Sequence, residues 1–213
     1  METSDAADQI RELAEEKAEH EHVERFRSLT ALAIAILAVL LAIASLGGGN
    51  VAEDMIDNNI RASDTWAFYQ AKNIRQTANK LAADALEAQL LASGATLRAA
   101  ARQDIKNKVE KYRATADRYE DEPDPTDPNN PLKGEGKKQL SAQAKNFESQ
   151  RNRAQEQDAN FDYSTILFQI AIVLGSVAIL ANSRPVLYFA LGLSVLATLL
   201  MINGFLLLVH LPF

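Results

Sequence analysis

The chain has 213 residues, a net charge of -6 and no cysteine. The lack of cysteine excludes disulfides, thiolate metal sites and cysteine nucleophiles. The acidic balance argues against binding a phosphate backbone, so no nucleic-acid partner is expected. The mean hydropathy of -0.14 conceals two populations, because three stretches are almost purely apolar and the rest is highly charged. The three stretches predict an all-α integral membrane protein with three transmembrane helices.

Residues 1–28 form a strongly acidic N-terminal segment. Four apolar residues recur in it at helical spacing: Ile10, Leu13, Ala14 and Ala18. This pattern predicts an amphipathic helix, and a solvated tail is the equally acceptable alternative. We expect no cleavable signal peptide, because the first apolar run starts behind acidic residues rather than a short basic segment.

Residues 29–46 predict the first transmembrane helix. They carry no charged side chain, and at about 1.5 Å per residue they reach roughly 27 Å, which is close to the thickness of the hydrocarbon layer. We expect the glycines 47–49 and Asn50 to end this helix, since glycine favours helix termination.

Residues 51–161 predict an extramembrane domain built as an antiparallel helical hairpin of coiled-coil type. Its first part holds apolar residues at helical spacing, which predicts a helix: Ile74, Ala78, Leu81, Ala85, Leu86, Leu90 and Leu91. A break is expected at Ser93 and Gly94. Beyond it a heptad seam follows, made of Ile105, Val109, Tyr112, Ala116 and Tyr119.

Residues 121–136 contain four prolines and two glycines and predict a loop at the tip of this domain. Heptad spacing then returns at Leu140, Ala144, Phe147, Arg151, Ala154, Asp158 and Phe161. We expect this second seam to fold back against the first across the loop, because a helical hairpin would bury both stripes.

Residues 164–182 and 186–211 predict the second and third transmembrane helices, which form an antiparallel pair. The second should be the end of one continuous helix from about 137 to 181, because no helix-breaking residue precedes it. Arg25, Arg27 and Arg184 flank the spans. By the positive-inside rule they place the N-terminus in the cytoplasm and the helical domain in the periplasm, with the protein in the inner (plasma) membrane.

The segment 62–76, ASDTWAFYQAKNIRQ, is the most distinctive in the chain. Its candidate interaction residues are Asp64, Trp66, Phe68, Tyr69, Lys72 and Arg75. They indicate a recognition surface or an aromatic anchor at the membrane interface. The alternative, which we favour, is that the three aromatic side chains pack against the helix 137–161.

The stretch AIAILAVLLAIASLGG, followed closely by ASDTWAFYQAKNIRQ, resembles the bacterial domain-of-unknown-function 4337 family. Members of that family similarly have an acidic N-terminus, one span, a segment of this kind and a closing pair of spans. The resemblance implies a small bacterial membrane protein. It implies no activity and no catalytic residue.

No set of residues predicts catalysis, a cofactor or a metal site. His20 and His22 point in different directions on a helix and His210 is remote in sequence. The acidic residues of 121–127 lack the glycine and the bidentate glutamate of an EF-hand calcium loop. We therefore expect a protein that is not an enzyme.

Five polar residues of the second and third spans are candidates for span packing or pore lining: Gln169, Ser176, Ser194, Thr198 and Asn203. We expect Gln169 and Asn203 to face protein, because an unpaired amide in hydrocarbon is costly. Small residues also recur every four positions, as at Ala171 and Gly175, which favours close helix packing between subunits or within one chain.

The expected function is a non-enzymatic scaffold or interaction module that self-associates and presents a helical hairpin. The alternative is a homo-oligomeric ion channel lined by the polar residues of the spans. The expected partners are the lipid bilayer, a further copy of the chain and an unidentified protein.

Overall fold

The computed structural model describes the backbone of residues 2–93 and 95–211, and the side chains of residue 17 and of residues 20–93 and 95–211. The described residues form four helices and no strand, with one isolated β-bridge between Pro123 and Gly134. The helices are α1 (Glu2–Ser93), α2 (Ala99–Glu120), α3 (Lys137–Leu180) and α4 (Arg184–Leu206). The predicted all-α class is confirmed. The predicted N-terminal apolar stripe lies outside the described side chains.

Several predicted helix ends agree with the structure. The first helix ends at Ser93, no helix crosses residues 121–136, and α3 runs unbroken from Lys137 to Leu180. These are the positions where glycine and proline remove a hydrogen bond or demand a non-helical backbone.

The predicted third span, 186–211, was too long at its C-terminal end. Helix α4 ends at Leu206, and Leu207 takes a left-handed conformation with φ 46°. The side chain of Asn203 explains this end, because its Oδ1 accepts the backbone N–H of Val209 and its Nδ2 donates to the carbonyl of Val209, both at 2.9 Å. The amide holds the chain in a turn that the apolar sequence pattern cannot indicate.

The predicted helix end at residues 47–50 is wrong, since α1 continues through all three glycines. Two of them, Gly47 and Gly48, serve close packing instead. A Cβ added at Gly47 would lie 2.7 Å from Cε1 of Phe161, and one added at Gly204 would lie 3.0 Å from the same ring. Gly48 also faces Phe161. We call this arrangement the glycine socket.

The chain divides into two compact units. The apolar unit comprises Met1–Glu53 and Ala154–Phe213, and the polar unit comprises Asp54–Arg153. Within the described residues three helices, α1, α3 and α4, are long and apolar enough to cross a membrane.

The core of the apolar unit is made of side chains from all three of its helices. Its fully buried members include Ala44 on α1, Phe161 and Phe168 on α3, and Ala197 on α4. Phe161 also meets Phe205 edge to face, with 4.8 Å between ring centroids. Phe161 therefore lies at the point where the three helices meet.

In the polar unit, α2 and α3 pack on α1 one after the other. Helix α2 covers the part of α1 from Gln76 onward, where Arg113 pairs with Glu87 at 2.7 Å. Helix α3 covers the preceding part, where Nε1 of Trp66 donates to Glu148 at 2.8 Å. Both helices run antiparallel to α1, and they meet end to end.

This arrangement corrects the predicted pairing of the two heptad seams. The seam residues of α2 and α3 are all buried or half-buried, as predicted, but their partner is α1. The turn of the hairpin lies between Ser93 and Ala99. The loop 121–136 does not form a tip, since its Glu122 and Glu135 lie 2.9 Å and 3.5 Å from Nζ of Lys72.

The apolar residues at helical spacing on this part of α1 are largely exposed. Ile74 and Leu81 are 69% and 64% exposed, and Ala78, Ala85 and Leu91 are exposed as well. Only Leu86 and Leu90 are half-buried. The helix instead buries the polar residues Lys72 and Gln76 against its partners.

Candidate functional site

The most elaborate cluster of side chains in the polar unit lies where α1, α2 and α3 meet. We call it the polar junction; its members are Lys72, Gln76, Tyr119, Glu120, Glu122 and Lys137. Lys72 is 3% exposed and Gln76 is equally buried. Burying such groups is favourable only when each finds a hydrogen-bond partner.

Gln76 is the centre of the polar junction. Its Oε1 accepts from Nζ of Lys137 at 2.8 Å, and its Nε2 donates to the carbonyl of Ala116 at 3.0 Å and to Oε2 of Glu120 at 2.9 Å. One amide thus joins the middle of α1, the end of α2 and the start of α3.

Two lysines occupy the polar junction beside acidic and aromatic groups. Nζ of Lys72 lies 2.9 Å from Oε2 of Glu122 and 5.8 Å from the ring centroid of Tyr119. Nζ of Lys137 lies 3.2 Å from Oε2 of Glu120. The cation–π and ionic contacts together keep both buried ammonium groups satisfied.

The hydrogen bonds that Gln76 and Lys137 donate to Glu120 hold the pKa of that carboxyl below its ordinary value. Hydrogen bonds from Lys138 and Gln139 likewise lower the pKa of Asp121. Both carboxylates belong to the helix end and loop that connect α2 to α3. The junction is therefore held by charged hydrogen bonds whose strength depends on pH.

The loop that closes the polar junction has a defined backbone. The carbonyl of Glu122 accepts the N–H groups of Glu135 and Gly136 at 2.9 Å and 3.3 Å. Gly134 has φ 107°, and a Cβ there would collide with the carbonyl of Glu122. This glycine is thus required for the two ends of the loop to lie side by side.

The structure divides the six residues singled out in the segment 62–76. Lys72 is buried, and Trp66 and Tyr69 are half-buried with a centroid separation of 5.4 Å. Phe68 is 42% exposed, and Asp64 and Arg75 are exposed. Trp66 contacts α3 through its hydrogen bond to Glu148. The six side chains therefore do not form one continuous surface.

Gln76, Glu120 and Lys137 were not singled out by sequence reasoning. The available signal was the spacing of Phe68, Lys72 and Gln76, which places them on one face of a helix. Their partners lie 40 or more residues away in sequence, so local pattern could not show that this face is buried.

The five polar residues of the spans also separate into two groups. Asn203 and Ser194 are buried and Thr198 is half-buried. Asn203 donates to Oδ1 of Asn160 at 2.9 Å, which confirms that its amide faces protein. Gln169 and Ser176 are exposed on α3, so no other part of this chain covers the amide of Gln169.

No group of three or more histidine, cysteine, aspartate or glutamate side chains is positioned to hold a metal ion among the described residues. His210 instead pairs through Nδ1 with Glu156 at 2.8 Å.

A family model described as "Domain of unknown function (DUF4337)" matches residues 26–207. The match covers most of the sequence, and the chain belongs to that family. No curated protein and no solved structure shows significant similarity to it.

Proposed function

We propose that this DUF4337 chain is a non-enzymatic protein of the bacterial inner membrane that self-associates and acts as a scaffold. Its partners are the lipid bilayer and a second copy of itself, and the assembled polar units would then receive a further protein. The observation that carries the proposal is an exposed apolar stripe on α1 of the polar unit.

This stripe, which we call the α1 seam, follows steps of four and three residues, the spacing of a coiled-coil interface. Its members are Ala67, Ala71, Ile74, Ala78, Leu81, Ala85, Ala88 and Ala92. All are exposed except Ala71, which is half-buried. Ile74 and Leu81 are the two large side chains in it.

A second copy of the chain suits the α1 seam best. The same spacing on two helices allows side chains of one to fit between those of the other, and alanine permits close approach. The opposite face of α1 is occupied by α2 and α3 through the polar junction. Self-association through the α1 seam would therefore bury apolar surface without disturbing the contacts within one chain.

A second exposed stripe, on α3 of the apolar unit, supports self-association within the membrane. It consists of Ile166, Gln169, Val173, Ser176 and Leu180. Gln169 lies five residues inside the run that starts at Ser164, roughly 7 Å along the helix. A primary amide both donates and accepts, so the same side chain of another copy can satisfy it in hydrocarbon.

The decisive experiment measures the mass of the detergent-solubilised protein over a range of concentrations. We expect an oligomer for the natural chain. Ile74→Asp and Leu81→Asp should each weaken association by at least about tenfold, because each places a charge in a buried apolar contact. Both residues are exposed within one chain, so neither substitution disturbs its own core.

Leu132→Asp is the matched control, since Leu132 is a partly exposed apolar residue of the loop 121–136. It should leave the mass unchanged. A natural chain that stays monomeric at every concentration, or a control that dissociates as readily as Leu81→Asp, would refute self-association through the α1 seam.

The alternative is a homo-oligomeric ion channel, and the exposure of Gln169 and Ser176 is the observation that favours it. An oligomer with these side chains inward would have a partly polar path. Ser194 and Asn203 are buried and Thr198 is half-buried within the chain, so they contribute less to such a path. Conductance in liposomes that is abolished by Gln169→Leu would establish the channel and displace the scaffold.

The proposed orientation has the N-terminus in the cytoplasm and the polar unit in the periplasm, and the flanking Arg25, Arg27 and Arg184 support it. Because the chain has no cysteine, single cysteines can report sidedness without background. Ser28→Cys should be shielded from a membrane-impermeant thiol reagent in intact cells and Ala95→Cys should react. The reverse labelling pattern would invert the orientation.

A further inference from the structure

Two adjoining cavities lie at one end of the apolar unit, between α1 and the start of α4. Their volumes are about 310 Å³ and about 440 Å³. Both are lined by His22 and Phe26 of α1 and by Arg184 of α4. Arg25 lines the smaller one. The cavities thus join the residues before the first span to those before the third.

The polar lining of these cavities is basic. Arg25, Arg184 and His22 contribute to it, and none of the described residues that line either cavity is acidic. Within the described part of the chain, neither Arg25 nor Arg184 has a hydrogen bond or ion pair. Two guanidinium groups that share a concave site without a carboxylate attract an anion with several acceptor oxygens, such as a phosphate.

Apart from Thr30 and Asn182, the remaining lining is apolar or aromatic. Phe26, Leu29 and Leu187 belong to it, and Tyr188 adds an amphipathic ring. Leu29 is the first residue of the first apolar run, so this wall continues into the span. A ligand that fits both walls carries a phosphate at one end and a hydrocarbon chain at the other.

We propose that the smaller cavity binds the phosphate headgroup of an anionic membrane lipid, with an acyl chain lying along Leu29 and Tyr188. Basic pockets between membrane-spanning helices bind anionic headgroups in this way. The site rests on the membrane insertion proposed above, and it is independent of self-association. It gives Arg25 and Arg184 a role beyond their contribution to orientation.

The test is native mass spectrometry of the full-length protein in detergent, titrated separately with phosphatidylglycerol and phosphatidylcholine. We expect the phosphatidylglycerol adduct to remain bound under activation conditions that remove the phosphatidylcholine adduct. Arg25→Gln and Arg184→Gln should each weaken phosphatidylglycerol binding about fivefold, and the double variant about 25-fold. Both arginines are exposed, so the substitutions leave the core intact.

Arg27→Gln is the matched control. Arg27 is an exposed arginine of the same helix, and it lines neither cavity. It should change binding less than about twofold, because its charge acts only from a distance. If Arg27→Gln and Arg184→Gln weakened phosphatidylglycerol binding equally, general surface charge would explain the binding. The proposed site would then be refuted.

A parallel titration with inorganic phosphate separates a lipid site from a phosphate site. Excess inorganic phosphate should fail to displace the lipid, because it makes no contact with the apolar wall. Displacement at equal concentration, or equal retention of the two lipids, would overturn the proposal. If the variants lose lipid but keep the natural oligomeric mass, the lipid site and the α1 seam are separate features.

Discussion

In the apolar unit the helices approach one another where side chains are missing, whereas in the polar unit they meet where charged side chains are buried. Phe161 fits against Gly47, Gly48 and Gly204, and apolar contacts hold it there. At the polar junction, Gln76 and Lys137 are held by hydrogen bonds from three helical segments.

The difference follows from the solvent that each unit excludes. In the membrane location proposed above, the lipid around the apolar unit is as apolar as its side chains, so close fit is the main source of helix association there. Water competes for every polar group, so a buried polar junction is stable only when all its members are paired. The stability of the apolar unit should therefore depend on side-chain volume. The stability of the polar unit should depend on the protonation of its carboxyl groups.

The largest expected effect is that of Phe161→Ala. Phe161 is 1% exposed at the point where three helices meet, and its truncation should cost about 3–5 kcal/mol. Far-UV circular dichroism during titration with dodecyl sulfate, in mixed micelles, measures the loss. Phe205→Ala removes a ring that is 49% exposed and should cost clearly less; equal losses would show that the glycine socket is not the centre of the packing.

Two glycine substitutions should change the stability by smaller amounts and in opposite directions. Gly47→Ala places a Cβ against the ring of Phe161 and should destabilise the protein by about 1–3 kcal/mol. At Gly49 a Cβ meets nothing within 4 Å, so Gly49→Ala should stabilise the helix by up to about 1 kcal/mol. The same titration compares them, and a shared sign would contradict the packing role of Gly47.

The smallest expected effect is the acid sensitivity of the polar junction. Because the pKa of Glu120 is lowered in the folded state, its contribution is complete above the ordinary glutamate pKa. That contribution is lost as the pH falls through the lowered value. Glu120 is partly exposed, so the loss should not exceed about 1 kcal/mol.

Trp66 is the only tryptophan in the chain and lies in the polar unit, so its fluorescence during urea titration at several pH values follows this unit. Glu120→Gln should remove part of the acid-dependent loss of stability. Glu110→Gln, at an exposed position of the same helix, should retain it. Identical pH profiles of stability for the natural chain and Glu120→Gln would show that Glu120 does not contribute to the loss of stability in acid.

The helices and most of their ends were predictable because glycine, proline and apolar periodicity act locally. The seam of α2 from Ile105 to Tyr119 was correctly identified as an inner face for the same reason. Its partner was not, because the choice between α1 and α3 depends on contacts far apart in sequence.

Two kinds of residue carry a local signal that does not settle how they pack. A run of glycines such as 47–49 looks the same in the sequence whether it ends a helix or lets an aromatic ring pack closely against the helix. Ile74 and Leu81 have the periodicity of a core face, yet the core of a single chain is on the other side of α1. Periodicity identifies an apolar face, but it does not say whether the same chain covers it.

Because α2 and α3 lie end to end on α1, the polar unit is divided lengthwise into two independent stretches. The stretch formed by α2 with residues 77–93 can lose or gain whole heptads in both helices while the contacts of Gln76 stay unchanged. Such a change would alter the length of the polar unit and leave the polar junction as it is.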